Sequence, residues 1–358
     1  MMNEKRVTIP WKLVTTIVAI LMVTATFTQA FKDDEEENEE GEKVPKVIID
    51  LNVKSKANGD YAYKASAPTF ETFFPNKAND TYLLRMETVF GNISYSVADV
   101  KTGASTKINR SNVLASCEGH GISYDDFVND LIDVRFSMAL NGVKETFVLN
   151  SRPNITDDLQ LRTLLTFDDH DFTAWVEGKK VGILPVCTKD QVEIRNSDNL
   201  TVFVVPPAFA YDSRNGDADS QPSLESYSIK EGTVRCRYSV STTSSGLLLS
   251  VIIPQEYLED ESVTYPVYID PPLEPVIAGT TSYSDSDVFV YSNVDIMSTG
   301  TLSLDNCNLF FGNGPFTLKV FDDGLLELID TDVQSENPEQ AYYIEVHGNL
   351  VMDGTDVI

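Results

Sequence analysis

The chain has 358 residues, 42% of them apolar, and carries 55 acidic against 27 basic side chains for a net charge of -28. That length allows two or three domains with real cores. The charge excludes nucleic acid and anionic lipid as natural partners, because both would be repelled; it suits a solvated surface, a salty milieu or cation binding.

Residues 1–30 read as an export signal. Lys5, Arg6 and Lys12 precede an apolar run from Leu13 to Phe27, broken only by threonines, and Thr28-Gln29-Ala30 ends in the small residue a signal peptidase prefers. The alternative is an uncleaved anchor with its positive flank inside, although the run is a little shorter than the ~20 residues of a membrane span. Both readings place the rest of the chain in the extracellular space or at the cell surface, with membrane contact only through this segment. Residues 31–43 form an acidic linker: KDDEEENEEGEK, from Lys32, holds no apolar residue to bury and repels itself into an extended stalk.

Residues 44–272 alternate short apolar runs with turn signals. Strand-like segments include Lys46–Val53, Tyr82–Phe90, Val134–Leu140, Glu145–Asn150, Leu159–Phe167, Phe172–Val176 and Leu247–Ile253. Asn141-Gly142 marks a hairpin. Leu161–Phe167 and Phe172–Val176 read as a second hairpin around Asp168-Asp169-His170-Asp171. Ser123–Leu131 is the one short helical candidate. Regular short strands with such turns predict an antiparallel β-sandwich-like region of one or two modules. Pro266, Pro271, Pro272 and Pro275 read as a stiff exit strand and linker (273–285), with a domain boundary near residue 272.

Residues 286–358 change character. Gly300, Gly324 and Gly348 recur every 24 residues, and apolar positions recur with them. Six before each glycine stand Val294, Leu318 and Tyr342; four before, Ile296, Val320 and Ile344. Two after stand Leu302, Leu326 and Leu350; four after, Leu304, Leu328 and Met352; nine after, Leu309, Val333 and Val357. Spacing of two within a pair means strand, the glycine means a corner, and the fixed period means stacked coils. The predicted fold is therefore all-β, an antiparallel β-sandwich-like region followed by the start of a parallel β-helix with 24-residue coils. No polar cap follows Val357, and an open solenoid end is a sticky edge. Truncation of the solenoid is the preferred expectation, and a covering partner the alternative.

Residues 120–271 resemble a leader segment of very large secreted prokaryotic proteins that carry DNRLRE domains, YD-type repeats or β-helical repeats downstream. The resemblance rests on Asp133-Val134-Arg135-Phe136, on Gly142-Val143-Lys144-Glu145 with Val148-Leu149 and Pro153, on Pro206-Pro207-Ala208-Phe209-Ala210-Tyr211-Asp212, and on the closing Tyr265-Pro266-Val267-Tyr268-Ile269-Asp270-Pro271. It implies a noncatalytic β-rich module ahead of repeats on a cell-surface protein. The C-terminal pattern also resembles right-handed β-helix regions of surface proteins and polysaccharide-active enzymes.

Chemistry-bearing motifs are sparse. There is no G-x-S-x-G, and His120, His170 and His347 stand apart in sequence. Cys117, Cys187, Cys236 and Cys307 form no C-x-x-C; they read as small buried hydrophobes or as one disulfide among three pairings. N-x-S/T sequons stand at Asn79, Asn92, Asn109, Asn154 and Asn199. Asp168–Asp171 reads as a solvated hairpin tip. Asp212–Asp219 (DSRNGDAD) offers oxygen ligands without EF-hand spacing, so calcium is the one cofactor alternative to none. Asn308, Asp332 and Asp356 share one column, and Cys307, Thr331 and Thr355 another. A carboxylate row cutting polysaccharide would need a cleft and a cation, and Lys319 is the only Lys or Arg of the segment; corner residues bonding local backbone are the simpler reading. Tyr342-Tyr343 and Phe310-Phe311 read as core or coil-end cover. No catalytic, cofactor or metal residue is assigned. The expectation is a noncatalytic structural or adhesive surface protein, with surface polysaccharide or envelope proteins as partners. The alternative is a polysaccharide lyase or glycoside hydrolase whose groove lies beyond residue 358.

Overall fold

The computed structural model describes residues 36–37, 43–55, 61–88, 91–102, 107–108, 110–168, 172–215, 232–270, 274–275, 280–296, 300–312, 314–321, 324–337 and 340–357. The export segment and most of the acidic stretch lie outside these residues; of the latter, Glu36–Glu37 pairs antiparallel with Lys43–Val44. Strand accounts for 61% of the described residues and helix for 3%, so the fold is all-β. Among the described residues no helix is long and apolar enough to cross a membrane.

The middle of the chain forms antiparallel sheets. One sheet runs, in spatial order, Ser116–Glu118, Gly121–Val128, Ile132–Ala139, Gly142–Leu149, Val267–Asp270, Phe209–Asp212 and Thr233–Arg235. The segments that carry the sequence resemblance thus become four neighbouring strands. A larger sheet is centred on Gly91–Thr102, Leu159–Phe167 and Gly246–Ile253. The two sheets meet through large buried side chains: the Phe136 ring lies 5.7 Å from Phe74 and 6.1 Å, edge-on, from Tyr95. Packing of this kind turns alternating apolar positions into a shared core. At its centre the buried Tyr95 hydroxyl donates a short hydrogen bond to Glu145 and lies 3.0 Å from the Thr163 hydroxyl. Burial pushes the Glu145 carboxyl well above its ordinary range, against the pull of the Tyr95 hydrogen bond.

Several local expectations change. The hairpin joins Ile132–Ala139 to Gly142–Leu149, but Ala139 faces Gly142, so Leu140-Asn141 is the turn. Leu159–Phe167 forms no hairpin with the following strand, because Gly91–Thr102 and Gly246–Ile253 already occupy its two edges. Thr173–Val176 pairs with Val192–Arg195 in a separate five-stranded sheet. Gly121–Val128 is strand and not helix; a register shift between Tyr124 and Val128, with Asp126 at φ 55°, disguises its alternation. Val267–Asp270 is no exit strand, since it is paired on both edges. The prolines that flank it delimit a central strand. A five-residue helix, Gln255–Glu259, went unseen in the sequence.

From Thr280 onward the strands are parallel and the chain visits three sheets in rotation. Thr280–Ser284, Thr301–Asp305, Leu325–Ile329 and Asn349–Asp353 form one; Asp287–Val290, Asn308–Phe311 and Asp332–Ser335 lie in the second; Val294–Ile296, Thr317–Val320 and Tyr343–Val346 form the third. Leu302, Leu326 and Leu350 stand in one column, Leu304, Leu328 and Met352 in another, and Leu309, Val333 and Val357 in a third. The first circuit is shorter, with Thr281 paired to Leu302 and Val288 to Leu309. The third sheet departs from the 24-residue period at its last strand. Ile344, not Tyr342, faces Leu318, and Val346 faces Val320. Two extra residues in the preceding loop displace the register by one full pleat repeat, so the same face still points inward. At Gly348 a β-carbon would come within 2.2 Å of the Phe321 carbonyl oxygen and 2.6 Å of that of Gly324, so close backbone approach accounts for this glycine.

Lys46–Ile49 belongs to this parallel part and not to the antiparallel region that follows it in sequence. It pairs in parallel with Asp287–Val290, and the Tyr291 amide donates to the Ile49 carbonyl. The antiparallel region is therefore spliced between two neighbouring strands of one sheet. Its Leu140 amide donates to the Asp295 carbonyl, joining it laterally to the third parallel sheet.

Two outcomes test these assignments. Leu326 is fully buried and Leu350 is 42% exposed in the same column. Leu326→Ala should cost about 2–5 kcal/mol in urea unfolding and Leu350→Ala clearly less; equal costs would contradict the stacking. Glu145 has a folded pKa above its unfolded one, so its contribution is fully present below the unfolded value of about 4.3 and is lost as pH rises through the folded value. Glu145→Gln should flatten that decline in the thermal midpoint as pH rises above the unfolded value.

Candidate functional site

The parallel strands build three polar columns and one aromatic column. The first comprises Asp287, Asn308 and Asp332 in direct register, with Asp356 brought alongside by the Val333–Val357 bridge. The Asn308 amide donates to Asp287 at 2.7 Å, while Asp332 and Asp356 are exposed. Asp332 thus has a neighbouring carboxylate one rung away. The only Lys or Arg of the segment, Lys319, sits in a different sheet. There it lies 3.5 Å from Glu345 and over the Phe321 ring. Glu345 also meets His347 at 2.5 Å, and this hydrogen bond holds its carboxyl below the ordinary range. Lys319 thus stands apart from the carboxylate column, whereas Lys46 pairs in direct register with Asp287 and lays its ammonium over the Phe289 ring.

The second column, Cys307, Thr331 and Thr355, clamps successive rungs. Thr331 donates to the Leu304 carbonyl one rung back at 3.2 Å and to the Ile329 carbonyl at 2.9 Å; Thr355 repeats this with Leu328 and Asp353. The Cys307 thiol makes the same pair of contacts, to Tyr283 and Asp305. A small donor at this position adds a side-chain hydrogen bond at the bend, where the Asp305, Ile329 and Asp353 carbonyls also accept a backbone amide.

A third column escaped the sequence reading. Asp285, Asn306 and Asp330 have φ of 49°, 52° and 46°, and Gly354 has 63°. These are the left-handed corners of successive circuits, one residue before each clamping donor. Asp, Asn and Gly are the residue types that tolerate this backbone most readily. The signal was present as Asp/Asn/Gly repeating beside the Cys/Thr column; the glycines at 300, 324 and 348 mark another corner of each circuit, between the third sheet and the first.

The fourth column is aromatic. Phe289 and Phe310 stack at 4.8 Å with 15° between their planes, and the Lys46 ammonium lies 4.3 Å over Phe289. Phe289 is buried and Phe310 half-buried, and the buried Phe311 stacks on Tyr342 at 4.5 Å. Tyr342 is thereby packed, while Tyr343 is exposed.

The remaining candidates resolve separately. Asp168 pairs with Arg85 at 2.6 Å, and residues 169–171 lie outside the described residues. Asp212 is buried and receives the Arg214 guanidinium at 2.6 Å and the Thr264 amide at 3.1 Å, so it anchors its own turn. Residues 216–219 lie outside the described residues. Among the described residues no group of three or more His, Cys, Asp or Glu side chains is placed to hold a metal ion. All four cysteines are free: Cys117 and Cys187 are exposed, Cys236 and Cys307 buried, so the disulfide alternative fails. Burial pushes the Cys117, Cys236 and Cys307 thiols up, away from the reactive thiolate.

No protein-family model matches the chain, and no curated protein matches it.

The clamp can be measured. Thr331→Val keeps the shape and removes the donor, and should cost about 1 kcal/mol in chemical unfolding. The same change at the more exposed Thr355 should cost less; an unchanged Thr331→Val midpoint would remove the hydroxyl from the account of the corner.

Proposed function

We propose that this is a noncatalytic, exported structural or adhesive protein of the cell surface, whose parallel strands are the start of a β-helix that presents an elongated polar face. The observation that carries the reading is the pairing of Leu302, Leu326 and Leu350 in parallel register, with Ser303 and Glu327 on the opposite side of the same strands. Such a repeat extends a surface by adding rungs and needs no pocket. The charge of -28 keeps such a surface solvated and repels anionic neighbours. The positively flanked apolar segment at residues 1–30 supports export, as signal or as anchor. Surface polysaccharide or other envelope proteins are the partners this design favours.

The reading is tested with the full chain expressed in a prokaryotic host. Added protease should degrade it on intact cells, and incubation with neutral and acidic polysaccharides should release no reducing or unsaturated ends. Retention in the cytoplasm would overturn the surface assignment. Product release that disappears in Asp332→Ala would replace the noncatalytic reading with a polysaccharide-cleaving one.

A further inference from the structure

Two sequence motifs that the surface reading does not use come together in the seven-stranded sheet. Gly142–Leu149 and Val267–Asp270 are adjacent antiparallel strands, with Val148 opposite Tyr268. Their alternation puts Lys144, Thr146 and Val148 on one face with Tyr268 and Asp270. On that face the Lys144 ammonium lies 3.5 Å from the Asp270 carboxylate, with side-chain exposures of 5% and 2%. The face continues into the buried apolar group Val148, Phe209, Tyr211 and Tyr268, with the Tyr211 and Tyr268 rings 5.5 Å apart. Neither Oδ atom of Asp270 accepts a hydrogen bond among the described residues. An ion pair this dry, with acceptors left unsatisfied, is a costly way to join two strands.

We propose that Lys144 and Asp270 condense into an intramolecular isopeptide bond, Lys144 Nζ to Asp270 Cγ, which ties the two strands covalently. The ammonium first gives one proton to the carboxylate, leaving a neutral amine and a neutral acid. The amine lone pair attacks Cγ, and the C–N bond forms. One oxygen then departs as water, carrying off the acid proton and one proton from the nitrogen. No oxidant, reductant or further reactant enters. Sequence-distant groups held within contact distance supply the proximity. The apolar surroundings exclude the water that would favour hydrolysis, and the neutral amide replaces two buried charges. Burial also raises the Asp270 carboxyl above its ordinary range, partly offset by Lys144, which favours the neutral acid that the condensation needs. Glu145 points to the opposite face, toward Tyr95, and takes no part in the bond-forming step.

The test is a peptide map of the full-length folded protein, held at neutral pH until its map no longer changes. Trypsin should fail to cut after Lys144. The peptide 136–162, left uncut after Arg152 because Pro153 follows it, should then appear joined to the one containing Asp270, lighter than their sum by one water. Clean cleavage after Lys144 with an unlinked Asp270 peptide would overturn the proposal. Lys144→Arg keeps a cation beside Asp270 but cannot form this amide, so its map should lack the link and its thermal midpoint should fall. A linked Asp270 peptide persisting in Lys144→Arg would equally overturn the assignment. Asp270→Asn should form the same link with loss of ammonia in place of water.

Discussion

Parallel register between successive circuits is the constraint on which the C-terminal part of this molecule depends. One circuit has too few apolar side chains to enclose a core. Leu302, Leu304, Leu326 and Leu328 are fully buried with a rung on each side. Where the last rung lacks a neighbour, Leu350, Met352 and Val357 are all 42% exposed or more. The same side chains at the same column positions thus change from core to surface according to stacking alone, which is how nearest-neighbour stability arises in repeat architectures.

Corners hold the register. Each circuit bends at a residue with left-handed backbone, and a hydroxyl or thiol just after it reaches the carbonyl one rung back. The bend fixes where the next strand starts and the donor fixes how far away it lies. The column of Cys307, Thr331 and Thr355 is occupied with backbone. The neighbouring carboxylates at Asp332 and Asp356 remain exposed, but Lys319 is held by Glu345 in another sheet.

Much of this was legible in the sequence because spacing of two and a 24-residue period are direct consequences of strand geometry and stacking. Leu302, Leu326 and Leu350 needed no coordinates to be placed in line. The failures have physical causes too. Tyr342 was misplaced because a loop can lengthen by two residues without turning the strand over, which periodicity cannot detect. Leu159–Phe167 was given a local partner, although distant strands occupied both of its edges. Ser123–Leu131 resembled a helix because a bulge broke its alternation. Of the candidate sites, the acidic turns were visible as composition, but Asp212 turned out to be held by Arg214 and Thr264. The meeting of Lys144 with Asp270 could not be foreseen, since nothing local relates the two strands.

The placement of Lys46–Ile49 has a consequence for how the molecule is made. Its parallel neighbour, Asp287–Val290, lies 241 residues further along. A chain that emerges amino end first therefore exposes Val47 and Ile49 long before anything exists for them to lie against. The intervening antiparallel region can fold meanwhile from nearer contacts, and the early strand must wait outside it. Maturation then ends with a docking event at the base of the stack, where the oldest and among the newest parts of the polypeptide meet, and a chain interrupted before Val290 would leave that strand bare.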